Sequence, residues 1–261
     1  MKSNSDLMAS REFGPRFNGK VALITGAGQG IGQATAFRFA QEGAAVGILD
    51  RNPESAADTA LVINDSGGRS IELVADVSDT QAVAACAGEL HSHFGRIDIL
   101  VSNAGFDRPG GFLKIGPEDF QAVWGVHLLG AVNSCRACGP FMINQRDGRI
   151  VLVSSIYGKV GTKGESAYVS AKAGLIGLTK ALAREWAGRG IRVNAVLPGL
   201  TDTPTIRDMM DAKYKEAFIS ETPLGRSAVP AEIAAAIAFL ASDDASFITG
   251  AILEVAGGWG I

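Results

Sequence analysis

Short apolar runs alternate with longer amphipathic stretches along almost the whole chain. Seven runs have the composition of buried strands, and they lie at 21–24, 45–49, 70–74, 97–101, 149–153, 191–197 and 251–255. Six stretches have the pattern of helices, and they lie at 31–43, 53–65, 79–94, 117–143, 167–188 and 230–241. Strands that are apolar throughout and separated by helices are typical of a parallel sheet covered on both faces. The sequence therefore predicts a doubly wound α/β fold with about seven parallel strands.

The length of 261 residues fits one large domain. Residues 1–18 have neither an apolar core nor the pattern of a signal peptide, and we expect a loose arm there, before a single domain at 19–261. Residues 201–222 are the one long polar insertion between predicted core elements. Long ordered insertions are often functional, so we expect this segment to form a lid over the substrate.

Charge and hydropathy exclude several classes of partner. The net charge is −3, with 24 basic and 27 acidic residues and no basic block, which argues against nucleic acid or an anionic membrane. No apolar run reaches the ~18 residues of a membrane span, and we expect a cytoplasmic protein. Cys86, Cys135 and Cys138 do not suit a secreted disulfide framework, and with the three histidines they form no metal-ligand pattern, so we expect no metal.

A glycine-rich loop at 25–32 follows the first predicted strand and opens the first predicted helix. Its glycines permit a tight turn and a close approach of the backbone to a pyrophosphate, and the helix N-terminus offers N–H groups to the phosphates. In this context the loop indicates a dinucleotide cofactor. Its candidate contacts are Gly26, Gln29, Gly30, Ile31 and Gly32.

Asp50 ends the second predicted strand, 18 residues after Gly32. An acidic side chain at this place accepts a hydrogen bond from a ribose 2′-hydroxyl and repels a 2′-phosphate. The glycine loop contains no Arg or Lys, although Arg51 follows directly and would soften the discrimination. The sequence favours NAD as cofactor, with NADP as the weaker alternative.

Tyr168 and Lys172 lie four residues apart in a predicted helix, so both side chains project from one face. An ammonium one turn away lowers the pKa of a phenol. The hydroxyl of Ser155, thirteen residues before Tyr168, would hold a substrate oxygen while the phenol moves a proton. Tyr and Lys at this spacing also occur on ordinary solvated helices. The pair alone is therefore weak evidence of catalysis, and the other motifs of the chain must support it.

Together these segments resemble the short-chain dehydrogenase/reductase family over about 19–258. The resemblance rests on the glycine loop, Asp76-Val77, the Ser-Asn-Ala-Gly run at 102–105, Ser154-Ser155, Tyr168 with Lys172, Pro198-Gly199, the Phe-Leu-Ala-Ser-Asp run at 239–243 and Gly257-Gly258. It implies a Rossmann fold and hydride transfer between a nicotinamide cofactor and a secondary alcohol or ketone. It also implies a homotetramer paired through the helices at 117–143 and 167–188, which have the small residues Ala131, Ala171, Ala173, Gly174 and Gly177.

The resemblance also implies roles for individual residues. Ser155 would orient the substrate oxygen, Tyr168 would act as acid or base, and Lys172 would also hold the nicotinamide ribose. Further cofactor contacts would come from Asp50, Arg51, Asp76, Val77, Asn103, Ala104, Gly105, Val126, Pro198, Gly199, Thr201 and Thr203.

His127 departs from the family pattern, because the family usually has Asn at this position. That Asn is thought to support a water that passes protons to the lysine, partly through its backbone carbonyl. A histidine keeps the carbonyl, and its imidazole can itself donate and accept protons near pH ~6.5. The sequence leaves open whether His127 is catalytic or only packs.

Three functions therefore stand at this point. The first is an NAD-dependent oxidoreductase for a secondary alcohol or ketone, such as a 3-hydroxyacyl thioester, a cyclic alcohol or a sugar. The others are a catalytically silent NAD-binding scaffold and a 3-oxoacyl thioester reductase that uses NADPH. An epimerase or dehydratase of the same superfamily would have a different glycine loop and a larger C-terminal substrate region.

Overall fold

A parallel β-sheet runs through the computed structural model of the protein, which describes residues 15–260. Within that range the sheet contains seven strands: β1 (Val21–Thr25), β2 (Ala45–Asp50), β3 (Arg69–Val74), β4 (Ile99–Ser102), β5 (Gly148–Val153), β6 (Ile191–Pro198) and β7 (Ile252–Val255). Their order is β3-β2-β1-β4-β5-β6-β7, and every neighbouring pair is parallel. The strands β2 and β3 lie on one side of β1, and β4 to β7 lie on the other side. The order in which the chain adds strands therefore reverses between β1 and β4. The predicted doubly wound sheet is confirmed.

Helices cover both faces of the sheet. They are α1 (Gly30–Gln41), α2 (Pro53–Asp65), α3 (Thr80–Phe94), α4 (Pro117–Trp124), α5 (Gly130–Gln145), α6 (Ile156–Val160), α7 (Ser166–Trp186), α8 (Pro204–Met209), α9 (Ala212–Glu221) and α10 (Pro230–Ala241). Successive residues of β1 enter different cores: Leu23 belongs to the core that includes residues of α3, α5 and α7, and Ile24 belongs to the core that includes residues of α1, α2 and α10. This alternation buries both faces of the sheet.

The predicted helix at 117–143 is interrupted. A π-helical turn, Gly125–Leu129, separates α4 from α5. The apolar pattern continues through the turn and no proline or polar run marks it, so the sequence does not reveal it. Gly130 begins α5 against the segment that follows β3, where an added Cβ would lie 2.7 Å from a methyl of Val77. Single π turns within α-helices are frequent at functional sites.

Residues 15–18 belong to the domain and not to the predicted arm. Phe17 is 1% exposed, and its ring stacks on Phe39 at 4.5 Å between centroids. The Arg16 guanidinium donates to both carboxylate oxygens of the buried Glu42, at 2.6 and 2.7 Å. An apolar ring and an ion pair thus fix this segment, so the domain begins before the predicted residue 19. The remainder of the predicted arm, 1–14, lies outside the described residues.

The insertion at 201–222 is ordered as α8 and α9. Thr203 and Asp211 accept backbone hydrogen bonds at the two helix starts. Phe218 of α9 is 7% exposed and stacks on Trp259 at 4.7 Å between ring centroids, and Tyr157 meets both rings edge-on. The segment is therefore attached to the body of the domain through an aromatic cluster. Within residues 15–260 no helix is long and apolar enough to cross a membrane.

Candidate active site

A cavity of about 1030 Å³ opens at the carboxyl ends of the strands, beside the reversal between β1 and β4. In open α/β sheets this is the general place for a ligand, because the loops there diverge. The cavity wall contains every site residue predicted from the sequence except Gly32. An added Cβ at Gly32 would lie 2.0 Å from the Gly26 carbonyl oxygen, so this glycine packs α1 against its own loop.

The glycine loop has the geometry of a phosphate cradle. Gly26 and Gly30 adopt φ of 63° and 58°, a left-handed region that favours glycine. An added Cβ at Gly26 would lie 2.8 Å from the Cα of Ala104, which shows how closely the two loops approach. Gln29 precedes α1 without capping it through its side chain within the described chain. The first N–H groups of α1 thus remain available to an anion, and the loop fits a dinucleotide.

Asp50 is held rigidly at the end of β2. Its Oδ2 accepts a hydrogen bond from the Gly28 N–H at 2.9 Å, and its Oδ1 accepts one from the Asn52 N–H at 3.0 Å. Arg51 beside it is exposed. Asp76 follows β3, and the hydroxyl and N–H of Ser78 lower its pKa by donating to Oδ1 at 2.6 and 2.8 Å. Both carboxylates therefore have fixed orientations at the cavity wall.

Asn103 ties the loop after β4 to the glycine loop. Its Nδ2 donates to the carbonyl oxygens of Thr25 and Gly26, each at 3.1 Å. The hydroxyl of Thr25 accepts from the N–H groups of Asn103 and Ala104 at 3.0 and 3.1 Å. The side-chain amide of Asn103 thus holds the loop after β4 against the glycine loop in the cavity wall.

Three elements bring together the side chains of Ser155, Tyr168 and Lys172. Ser155 follows β5 and accepts a hydrogen bond from the Tyr157 N–H at the start of α6, at 3.2 Å. Tyr168 and Lys172 lie on successive turns of α7, and Lys172 Nζ is 5.5 Å from the Tyr168 ring centroid. Lys172 is 4% exposed, and its Nζ donates to the Val153 carbonyl oxygen at 2.7 Å.

Burial sets the protonation of this trio. It lowers the pKa of Lys172 to about 7, against the opposing charge of Asp107. It raises the pKa of Tyr168, although the Ser155 hydroxyl acts in the opposite direction. The sequence predicted that Lys172 would lower the phenol pKa, and for the protein alone this prediction is wrong. The free energy lost when the phenolate leaves water is larger than the stabilisation that the partly neutral Lys172 can give it.

His127 lies at the centre of the π turn and is 3% exposed. Its Nε2 lies 2.6 Å from the Phe106 carbonyl oxygen and 3.2 Å from the Phe106 N–H, and the shorter contact with an acceptor favours the tautomer that has its hydrogen on Nε2. Its Nδ1 is buried without a hydrogen-bond partner among residues 15–260. The ring meets Tyr168 edge-on, with 5.2 Å between centroids. Burial, with the charge of Lys172, lowers the pKa of His127 to about 3.

Sequence reasoning does not find Glu165 as a site residue. Its side chain lines the same cavity as Tyr168, and so does that of Asp107. Glu165 immediately precedes α7 and lies three residues before Tyr168. That proximity is the only signal in the sequence, and it does not show which way the carboxylate points.

Comparison with known proteins agrees with this geometry. A family model described as enoyl-(acyl carrier protein) reductase matches residues 26–260. The chain is 42% identical over 243 residues to a 3-oxoacyl-[acyl-carrier-protein] reductase of Thermotoga maritima, and the match covers 93% of this chain and 98% of that protein. The chain belongs to the short-chain dehydrogenase/reductase family. It is also 42% identical over 248 residues to a cis-4-hydroxycyclohexanecarboxylate dehydrogenase of Sinomonas cyclohexanicum, covering 95% of this chain and 99% of the other.

Solved structures of short-chain dehydrogenases show the same fold. NAD⁺-bound xylitol dehydrogenase matches with a TM-score of 0.89 and 35% identity, covering 93% of this chain and 99% of that one. A Burkholderia cenocepacia gluconate 5-dehydrogenase in complex with NADP and tartrate matches with a TM-score of 0.90 and 35% identity, covering 94% and 96%. The protein is an oxidoreductase that transfers hydride between a nicotinamide cofactor and a CH–OH group of its substrate.

We predict that the His127 imidazole stays neutral from pH 8 down to about pH 5, with its hydrogen on Nε2. Nitrogen NMR of the ring should show one protonated and one bare nitrogen throughout this range. The unfolded chain takes up this proton near pH ~6.5, so wild-type stability should fall as pH drops from there towards about 3. His127→Asn should lack that part of the loss. A ring that titrates between pH 5 and 8 would contradict the assignment.

Proposed function

We propose that this short-chain dehydrogenase uses NAD(H), and that Ser155, Tyr168 and Lys172 carry out the proton chemistry on a secondary alcohol or ketone. The main support is the convergence of these three side chains in the cavity that also contains the glycine loop. A catalytically silent scaffold would have no use for a buried lysine beside a buried phenol, because desolvating these groups costs free energy.

The proton path follows from the contacts of Tyr168. Ser155 is its hydrogen-bond partner, so a substrate oxygen placed between them can receive one hydrogen bond and give another. In reduction Tyr168 donates its proton to the carbonyl oxygen, and the raised pKa keeps that proton in place beforehand. In oxidation the phenolate of Tyr168 must accept the proton of the substrate hydroxyl, and the positive charge of Lys172 favours the ionised phenol that this step requires. When bound, the nicotinamide supplies the hydride acceptor or donor.

The preference for NAD rests on Asp50. Two backbone N–H groups fix its carboxylate beside the glycine loop, where it would accept a hydrogen bond from the ribose 2′-hydroxyl. A 2′-phosphate would meet the same negative charge. The remaining cofactor contacts are proposed at Gly26, Gln29, Gly30, Ile31, Gly32, Arg51, Asp76, Val77, Ala104, Gly105, Val126, Pro198, Gly199, Thr201 and Thr203, with Asn103 supporting the floor.

We assign His127 a positioning role instead of a place in the proton relay. A neutral imidazole that donates to Phe106 has no mobile proton near neutral pH. Its contacts connect the π turn to the loop after β4 and to the edge of Tyr168. The side chain would thus hold the phenol in the orientation that the reaction needs.

We propose that α8 and α9 form a lid over the substrate. Met210, Asp211, Tyr214 and Phe218 line the cavity from this segment. The Tyr157 hydroxyl has Tyr214 as a hydrogen-bond partner, which connects α9 to the catalytic side of the cavity. Closure of these helices would exclude water from the reacting atoms.

A second candidate is a 3-oxoacyl thioester reductase that uses NADPH. The observation in its favour is the 42% identity with the Thermotoga maritima reductase. Asp50 argues against it, since the 2′-phosphate would approach a carboxylate. Rates with NADH and NADPH decide between the two.

We also propose a homotetramer in the cytoplasm. Of the small residues on the two predicted pairing helices, Ala131 and Ala171 are fully buried in their own chain, and an added Cβ at Gly174 would meet Leu128 at 2.9 Å. Ala173 and Gly177 are exposed one turn apart on α7 and suit a close helix contact across a two-fold axis. The three cysteines, all within the described range, are buried free thiols, in keeping with a reducing compartment.

Replacing Tyr168 by Phe should lower kcat at least ~10²-fold, because the ring stays but the transferable proton is lost. NADH binding, followed by fluorescence, should persist. Lys172→Met should lower kcat and weaken cofactor binding together, whereas Lys180→Met on the exposed side of α7 should change neither. Turnover of Tyr168→Phe within a few-fold of wild type would overturn the mechanism.

Asp50→Ala should shift the ratio of kcat/KM for NAD over kcat/KM for NADP towards NADP by ~10-fold or more, since one charge-assisted hydrogen bond and one repulsion are lost. Asp58→Ala, which removes an exposed carboxylate from α2, is the matched control and should leave the ratio unchanged. The assignment is wrong if the wild type already prefers NADP.

Gly177→Glu should dissociate the tetramer, because a two-fold axis would bring two carboxylates together. Gly88→Glu is the control, since an added Cβ at either glycine meets nothing within 4 Å in the described chain. Light scattering at micromolar concentration measures both variants. A monomeric wild type, or a Gly177→Glu variant that stays tetrameric, would remove the claim.

A further inference from the structure

Two carboxylates occupy the substrate side of the cavity and have no part in the mechanism described above. Asp107 lies in the loop after β4, and Glu165 immediately precedes α7; both are partly buried. The Gly110 N–H donates to the Gly164 carbonyl oxygen at 2.7 Å and thereby joins the two loops. Both residues line the same cavity as Tyr168, and their charges add to the effect of burial in raising the pKa of Tyr168.

Glu165 lacks the partners that a partly buried carboxylate normally has. It is the N-cap residue of α7, yet its side chain makes no capping hydrogen bond. No group within residues 15–260 donates a hydrogen bond to the Glu165 carboxylate, and the Asp107 carboxylate accepts one only from the adjacent Arg108 N–H, at 2.7 Å. An unsatisfied polar group costs free energy, so these oxygens are free to accept hydrogen bonds from a bound molecule.

The surrounding charges narrow the class of that molecule. A substrate carboxylate would meet two like charges at close range, and Lys163 at the rim is exposed, so water screens its charge. A cationic substrate would lie beside Lys172 and, during oxidation, beside the positive nicotinamide. A neutral hydroxyl group donates to a carboxylate without either penalty.

The protonation states of Asp107 and Glu165 are suited to binding a hydroxyl group. Burial, with the charge of Asp107, raises the pKa of Glu165 to about 7, and burial also raises the pKa of Asp107. Near neutral pH Glu165 is therefore partly protonated and lies in the same cavity as the Asp107 carboxyl. Such a pair can accept a hydrogen bond from a hydroxyl and donate one back to it.

We propose that Asp107 and Glu165 are specificity-determining residues that select a neutral polyol, by holding a hydroxyl on the carbon next to the reacting carbinol. The inference rests on the proposed function, because it assumes that the alcohol reacts beside Tyr168. It goes beyond that function by excluding hydroxy acids as preferred substrates and by requiring a second hydroxyl group.

Three four-carbon alcohols test the proposal, each offered as all its stereoisomers with NAD. They are butan-2-ol, butane-2,3-diol and 3-hydroxybutyrate, which differ only in having no further polar group, a neighbouring hydroxyl or a carboxylate. We expect kcat/KM for the diol to exceed that for butan-2-ol by ~10-fold or more, as for a hydrogen bond to a charged group. The value for 3-hydroxybutyrate should fall below that for butan-2-ol.

The variants Glu165→Gln, Asp107→Asn and their combination identify the groups responsible. The double variant should reduce the advantage of the diol to within ~3-fold and raise the relative rate with 3-hydroxybutyrate. Glu72→Gln, on the exposed side of β3, is the control and should keep the wild-type ratios. Each comparison uses two substrates on one preparation, so a partly unfolded variant still gives a valid ratio.

The possible outcomes distinguish the role of the two carboxylates from the proposed function. NADH formation without a preference for the diol, or a preference that persists in the double variant, overturns the role of the two carboxylates and leaves the proposed function intact. Absence of NADH formation with every alcohol overturns the proposed function, and the polyol inference with it.

Discussion

The carboxyl ends of all the strands lie along the same side of the parallel sheet, and the order in which the chain adds strands reverses between β1 and β4. The site depends on this constraint, because it brings loops from distant parts of the sequence to a single cavity. Thr25 and Asn103 fix the two sides of the reversal to each other through four hydrogen bonds. The glycine loop and the loop after β4 are thus fixed relative to each other by hydrogen bonds between side chains and backbone.

Burial then decides the chemical state of the site. Tyr168, His127 and Lys172 are all shifted towards their neutral forms, and desolvation is the main cause for each pKa. Asp107 opposes the shift at Lys172, so it helps to keep a positive charge where the proposed mechanism needs one. These three side chains therefore hold little charge of their own, and the charges of the cavity come mainly from the carboxylates around them.

The sequence predicts the sheet and the glycine loop between β1 and α1 well, because those signals are local. Continuous apolar strands and the context of the glycine loop need no knowledge of tertiary contacts. The π turn at Gly125–Leu129 is different, since one additional residue enters a helix whose apolar pattern does not change. The raised pKa of Tyr168, the packing of Phe17 and the direction of Glu165 also depend on neighbours that are distant in sequence or on the course of the backbone. They could not be read from the residues alone.

The contact between His127 and Gly105 has a consequence for how such a chain can evolve. An added Cβ at Gly105 would lie 2.2 Å from the Cε1 of the His127 ring, so the imidazole and a side chain at 105 exclude each other. Gly105 has no left-handed backbone that would itself demand glycine. Alanine at 105 therefore requires the imidazole of His127 to move or to be replaced by a smaller side chain, so the two positions constrain each other's substitutions.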